Sequence, residues 1–195
     1  MKYNLLKAQR EFLEIPHEYT LDVAVYQGGY GSGKTFAGSL LGILLSMKFP
    51  GIRGLVGAQT YTLVRDTTLQ TYFEHLENMN FKEGIDFEWS SSLQKLTFRN
   101  GSEILFRHFD EPNKLKSLNL GFVEIEEMSD IPYDTFKMLV SRMRQKQKPW
   151  WKNFTYRIFG HTNPEMQRGW VYKTFVENPA PNYRLISAPT TQNIY

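Results

Sequence analysis

The chain has 195 residues, 41% apolar and 15% aromatic, which suits one compact folded domain and excludes an apolar-poor, charge-rich disordered chain. A formal net charge of +3 is too small for a polybasic molecule, so a polyanionic partner has to be met by a local patch. The absence of cysteine excludes disulfides, thiolate zinc sites and cysteine nucleophiles, and agrees with an intracellular setting.

Residues 1–14 mix Lys2, Lys7, Arg10 and Glu11 with apolar side chains, which is a helical pattern over 5–14 and not the apolar core of a signal peptide. The longest apolar stretch, at 39–49, is shorter than the roughly 20 residues that cross a bilayer. Residues 21–27 carry two valines and a tyrosine before a glycine pair, a buried strand bounded by a turn. A mostly apolar helix follows over 34–48, stopped by Pro50 and Gly51, and a second buried strand over 53–59 completes a βαβ unit.

Helical spacing runs from 63 to 79. Segments 95–98 and 103–107 flank Asn100-Gly101, a strong hairpin signal that predicts an antiparallel insertion. A buried strand over 120–125, a helix over 132–143 opened by Pro132, a strand over 155–160, a helix over 168–176 and a strand over 183–187 finish the chain. Alternating strands and helices predict one α/β domain over 1–195. Its mostly parallel sheet is covered on both faces and gathers ligands at the carboxyl ends of the strands.

Gly28-Gly29-Tyr30-Gly31-Ser32-Gly33-Lys34-Thr35 matches G-x-x-x-x-G-K-[ST] at every defined position, and it lies between a strand and a helix as the mechanism of that motif requires. Glycines allow positive φ and close backbone approach, so successive amides can converge on phosphate oxygens at a helix N-terminus. Lys34 can then reach the β and γ phosphates, and the Thr35 hydroxyl is placed to ligate magnesium. ATP and Mg2+ are the expected ligands.

The apolar run at 120–125 leads into Glu126 and Glu127. Two adjacent acids at a strand end can divide two tasks, Glu126 holding magnesium through its water shell and Glu127 orienting and deprotonating the attacking water. Two other readings of this acidic segment stay open at this point. One is a solvated acidic loop ahead of a helix; the other is a metal-dependent nuclease cluster of Glu124, Glu126, Glu127 and Asp130. Thr162-Asn163-Pro164 follows another apolar strand at the same sheet edge and is placed to sense a γ-phosphate or simply to turn. Between 135 and 164 no acid occurs, while Lys137, Arg142, Arg144, Lys146, Lys148, Lys152 and Arg157 lie among Trp150, Trp151, Phe154 and Tyr156; this stretch suits a polyanion or a solvated surface over inward-packed tryptophans.

Taken together, the order Lys7 to Leu13, the glycine-rich loop, Asn113 to Ser117, Gly121 to Ile131, Leu139 to Arg144 and Thr162 to Pro164 resembles the ATPase domain of tailed-bacteriophage large terminase subunits. These motors package DNA into procapsids. The resemblance implies a RecA-like P-loop NTPase of the additional-strand, catalytic-glutamate type. By likeness, Gln9 contacts adenine, Glu126 and Glu127 form the metal and catalytic pair, and Thr162 and Asn163 couple hydrolysis to motion.

The trans-acting cation is sought among Lys116, Arg142 and Arg144; Lys116 stands where many relatives have arginine, and lysine lacks the planar fork of guanidinium. Double-stranded DNA, further copies in a ring, the portal protein and the small terminase subunit are the implied partners, in host cytoplasm and away from any membrane. The RNase H-like nuclease domain usual in the family is expected to lie outside this chain. Rival readings are another DNA or RNA translocase, helicase or partitioning ATPase, and an ATP-operated binding switch or assembly adaptor.

Overall fold

The computed structural model describes residues 4–14, 19–164 and 169–188. Among them, eight strands form one sheet in the order β3-β4-β5-β2-β6-β7-β1-β8. The parallel part comprises β5 (Glu103–His108), β2 (Arg53–Ala58), β6 (Phe122–Glu126), β7 (Tyr156–Thr162), β1 (Leu21–Gly28) and β8 (Tyr183–Ala188). β3 (Phe87–Ser90) and β4 (Lys95–Phe98) extend one edge as antiparallel strands.

Side-chain alternation divides the core into two layers. On one face, Ala24 and Tyr26 of β1, Phe122 of β6 and Phe159 of β7 pack under helices α1 (Lys7–Leu13), α2 (Lys34–Lys48) and α4 (Leu69–Asn78). On the other, Val23, Val25, Val123, Ile125 and Ile158 pack against Phe136 and Leu139 of α5 (Tyr133–Val140) and against Val171 and Phe175, which lie in the short α6 (Trp170–Tyr172) and the π-helical turn Lys173–Glu177 after it. Because successive strand side chains point to opposite faces, Glu124 and Glu126 fall on the α2 and α4 side together with Phe122.

Four details depart from the pattern-based expectation. The helix expected over 63–79 begins with α3 (Tyr61–Leu63), passes through a π-helical turn at Val64–Thr68 and continues as α4. The Leu69 amide there bonds the Val64 carbonyl, five residues back. β3 is not legible in the sequence, being four residues with polar flanks; antiparallel pairing with β4 creates it. The helix expected over 132–143 stops at Val140, and the chain turns through bonds from Arg142 to Leu139 and from Met143 to Val140. Residue 168, the expected start of the last helix, lies outside the described residues, and the helix is described from Trp170.

Candidate functional site

The loop between β1 and α2 is shaped by glycine at positions where other residues fail. Gly31 and Gly33 have φ of 73° and 69°, and a Cβ on Gly28 would lie 2.5 Å from Ser32 Oγ. The Tyr26 hydroxyl donates to the Ser32 carbonyl at 3.0 Å and props the loop from below. Gln9 of α1 closes its outer side, donating from Nε2 to the Gly33 carbonyl at 3.2 Å and accepting from the Leu6 amide at 2.8 Å. Gln9 also lines a small cavity of about 210 Å³ with Leu5, Gly31, Gly33 and Phe36 beside the loop.

A larger cleft of about 870 Å³ opens over the loop and is lined by Tyr30 to Phe36, Leu63, Thr67, Glu126, Glu127, Ser129, Asp130, Asn163 and Pro164. Lys34, largely buried, donates to Asn163 Oδ1 at 3.0 Å and reaches the Gly29 carbonyl at 3.5 Å. Asn163 in turn donates to Glu127 twice, from Nδ2 to Oε1 at 3.1 Å and from its backbone amide to Oε2 at 3.3 Å. Glu127 has left-handed backbone geometry, φ 45° and ψ 65°, which turns the chain out of β6 and sends its carboxylate into the cleft while Glu126 stays under it. Such a conformation in a non-glycine residue costs about 1–3 kcal/mol and persists because its surroundings hold it.

Beneath the loop lies a buried polar cluster. Glu126 Oε1 is 3.5 Å from the Thr35 hydroxyl and 3.1 Å from His161 Nδ1, and Oε2 accepts from the Thr68 hydroxyl at 2.6 Å. The His161 Nδ1 contact is an ion pair off the line of a hydrogen bond. His161 Nε2 faces Glu124 Oε1 at 3.1 Å, and Glu124 Oε2 accepts from the Tyr72 hydroxyl at 2.7 Å. Burial alone would discharge His161, but Glu126 and Glu124 on either side outweigh it and raise its pKa to about 10.

For Glu126, burial opposes ionisation and is overcome by His161, Thr68 and Lys34, so its pKa falls below the ordinary carboxyl value. Glu127 moves the other way: burial raises it, the charge on Glu126 adds to this, and Lys34 only partly offsets them. The pKa values of these neighbouring acids are thus shifted in opposite directions.

Thr35 and Glu126 supply hard oxygen donors suited to magnesium, and phosphate oxygens commonly complete its shell. Among the described residues no three His, Cys, Asp or Glu side chains gather to hold a cation by themselves. The nuclease-cluster reading fails on Glu124, which is fully buried and committed through both oxygens to Tyr72 and His161.

Other expected groups lie elsewhere. The Thr162 hydroxyl donates to Ser129 Oγ at 2.8 Å, outside the Lys34 relay. Lys116 and Arg144 are exposed, and Arg142 donates to the Lys116 carbonyl and to Ser141 Oγ; none of the three lines the cleft. Of the tryptophan pair, Trp151 packs inward and bonds the Pro50 carbonyl at 2.9 Å, whereas Trp150 is 62% exposed. The basic segment at 142–152 lies near Pro50 and Gly51, ahead of β2, at the end of the sheet opposite the phosphate loop, whereas Arg157 is buried in β7 and Lys137 pairs with Asp134 on α5, so neither adds to that surface. Sequence reasoning missed Thr68, Tyr72 and His161.

β7 stands between the loop-bearing β1 and the acid-bearing β6, which is the additional strand of the catalytic-glutamate class. A sequence model of the family described as phage terminase large subunit matches residues 21–193. The chain belongs to that family.

The PBSX phage terminase large subunit of Bacillus subtilis (strain 168) is 34% identical over 149 residues, covering 76% of this chain and 32% of that protein. The large terminase of a thermophilic bacteriophage superposes with a TM-score of 0.81 at 13% identity, over 98% of this chain and 47% of that one. Its complex with ADP gives 0.79 at 14% identity over 97% and 46%. This terminase chain therefore spans about a third of its PBSX relative and about half of the thermophilic-phage protein, and it shares the RecA-like fold of the latter.

Proposed function

We propose that this chain binds ATP with magnesium in the cleft over the loop at 28–35 and hydrolyses it, as the motor part of a terminase large subunit that drives double-stranded DNA into a procapsid. The observation that carries this reading is the convergence of Lys34, Thr35, Glu126, Glu127 and Asn163 on one cleft. The PBSX and thermophilic-phage relatives are terminase large subunits, and the latter has been solved with ADP, which supports the same assignment.

Loop amides and Lys34 hold the phosphates. Thr35 would ligate magnesium and Glu126 would hold it through its water shell; the ion would supply positive charge to the phosphates. Glu127, which lines the cleft and is held there by Asn163, orients the attacking water and takes its proton. Asn163 links the phosphate-contacting lysine to that base and is the γ-phosphate sensor of this reading, with Thr162 bracing the segment against Ser129. Gln9, tied to the loop and lining the cavity beside it, is assigned to adenine.

Lys116 and Arg144, exposed and away from the cleft, are the cations assigned to a neighbouring copy in a ring; Arg142 is bound to its own surface and ranks behind them. Packaging places the protein in host cytoplasm with portal protein and small subunit as partners. Among the described residues no helix is long and apolar enough to cross a membrane. Steady-state phosphate release measured across protein concentration tests the reading. Turnover that rises with concentration supports hydrolysis completed by a neighbour, and fast, concentration-independent turnover would exclude the trans cation.

A further inference from the structure

The segment at 61–78 does more than cover the sheet. Its π-helical turn inserts one residue into the helical register, and Thr68 ends that turn with Tyr72 four positions later on the same helix face. Four helical residues advance about 6.0 Å. Two strand residues advance about 6.6 Å. The two hydroxyls are therefore spaced to meet the two carboxylates on one face of β6, Thr68 at Glu126 and Tyr72 at Glu124, with His161 of β7 between the acids.

α2 closes over this cluster at Gly38, where a Cβ would lie 2.6 Å from Glu124 Oε1 and 2.8 Å from His161 Nε2. Of the side chains in direct contact with Glu126, Thr35 belongs to the phosphate loop, while Thr68 and His161 come from outside it. Glu126 is also one methylene longer than aspartate and has more torsional freedom to restrain.

We infer that Thr68 is a positioning residue for the metal-side carboxylate: its hydroxyl, backed by His161, fixes Glu126 so that Oε1 faces Thr35, and the π-helical turn exists to place it there. The inference rests on the proposed role of Glu126 and adds a group that never touches nucleotide. Leu63 and Thr67 of the same segment line the cleft, so the turn that holds Glu126 is also part of the nucleotide wall. Loss of an outer-shell partner of a metal site typically costs 10- to 100-fold in metal affinity or activity.

The test uses Mn2+ as the probe. Free Mn2+ is followed by electron paramagnetic resonance in the presence of a nonhydrolysable ATP analogue, for wild type, Thr68→Val, Thr68→Ser and Glu126→Gln, with metal-free nucleotide affinity measured alongside. The expected result is a fall in Mn2+ affinity of about 10-fold or more in Thr68→Val, recovery to within about 3-fold in Thr68→Ser, and unchanged metal-free nucleotide affinity in both. Should Thr68→Val not fold, Thr68→Ala is read in its place. Wild-type Mn2+ affinity in the valine or alanine variant, with affinity lost in Glu126→Gln, overturns the positioning role alone. Wild-type affinity in Glu126→Gln overturns the metal role of Glu126, and the inference with it.

Discussion

Replacing Asn163 with alanine probes the relay between Lys34 and Glu127. The substitution removes the 3.0 Å bond from Lys34 to Oδ1 and the 3.1 Å bond from Nδ2 to Glu127, but leaves the 3.3 Å backbone bond to the other Glu127 oxygen. A hydrogen bond to a charged group is worth about 1.5–3 kcal/mol, and the surviving backbone donor retains part of the orientation. A loss near 1.4–2.7 kcal/mol of transition-state stabilisation corresponds to a kcat lower by about 10- to 100-fold.

Nucleotide affinity should change by no more than about 3-fold, because Lys34 keeps its charge and its place beside Gly29. Phosphate release at saturating Mg-ATP gives the first number, and a fluorescent-nucleotide titration gives the second. In a Glu127→Gln background the alanine substitution should add almost nothing, since two residues acting as one unit are not additive. A kcat for Asn163→Ala within about 2-fold of wild type would refute the relay and leave Asn163 as a turn residue.

Gly38→Ala should lower thermal stability by about 1–2 kcal/mol at the midpoint despite alanine's better helix propensity, because the new methyl overpacks a buried charged cluster; calorimetry checks this, and a gain in stability would contradict the close approach. Partial burial works to raise the Glu103 pKa, but hydrogen bonds from Lys95 and Arg53 outweigh it and hold the group below its ordinary value. A lowered carboxyl pKa stabilises the fold above the unfolded-state value and is lost as pH falls through the folded one. Glu103→Gln should therefore cost about 0.5–1 kcal/mol near neutrality and nothing once both forms are protonated, measured by denaturant midpoints from about pH 7 to pH 3.

Much of this architecture is legible in the residues because local and global signals agree. The loop motif sits between an apolar strand and an apolar helix, Asn100-Gly101 turns the expected antiparallel pair, and the strand leading to Glu126 and Glu127 has the length and apolar character of a buried one. The polar cluster beneath the loop is not legible in the same way. His161 lies just past the strand expected over 155–160, and Thr68 and Tyr72 lie within the helical spacing of 63–79; only the pairing of β6 with β7 and the π-helical register bring them to Glu124 and Glu126. Alternation does place those two acids on one strand face, yet it cannot say that one is sealed from solvent while the other meets Thr35. The left-handed Glu127 is equally invisible in sequence, since its geometry is imposed by the turn that joins β6 to the segment at Met128–Asp130.

Nucleotide titration of Lys34→Ala and Glu127→Gln against wild type, with single-turnover hydrolysis on the same samples, decides whether this cleft binds and hydrolyses ATP. Lys34→Ala should bind ATP more weakly, and Glu127→Gln should bind Mg-ATP nearly as wild type does, with hydrolysis slowed about 10²-fold or more. Wild-type binding by Lys34→Ala, or wild-type hydrolysis by Glu127→Gln, would contradict that role of the cleft.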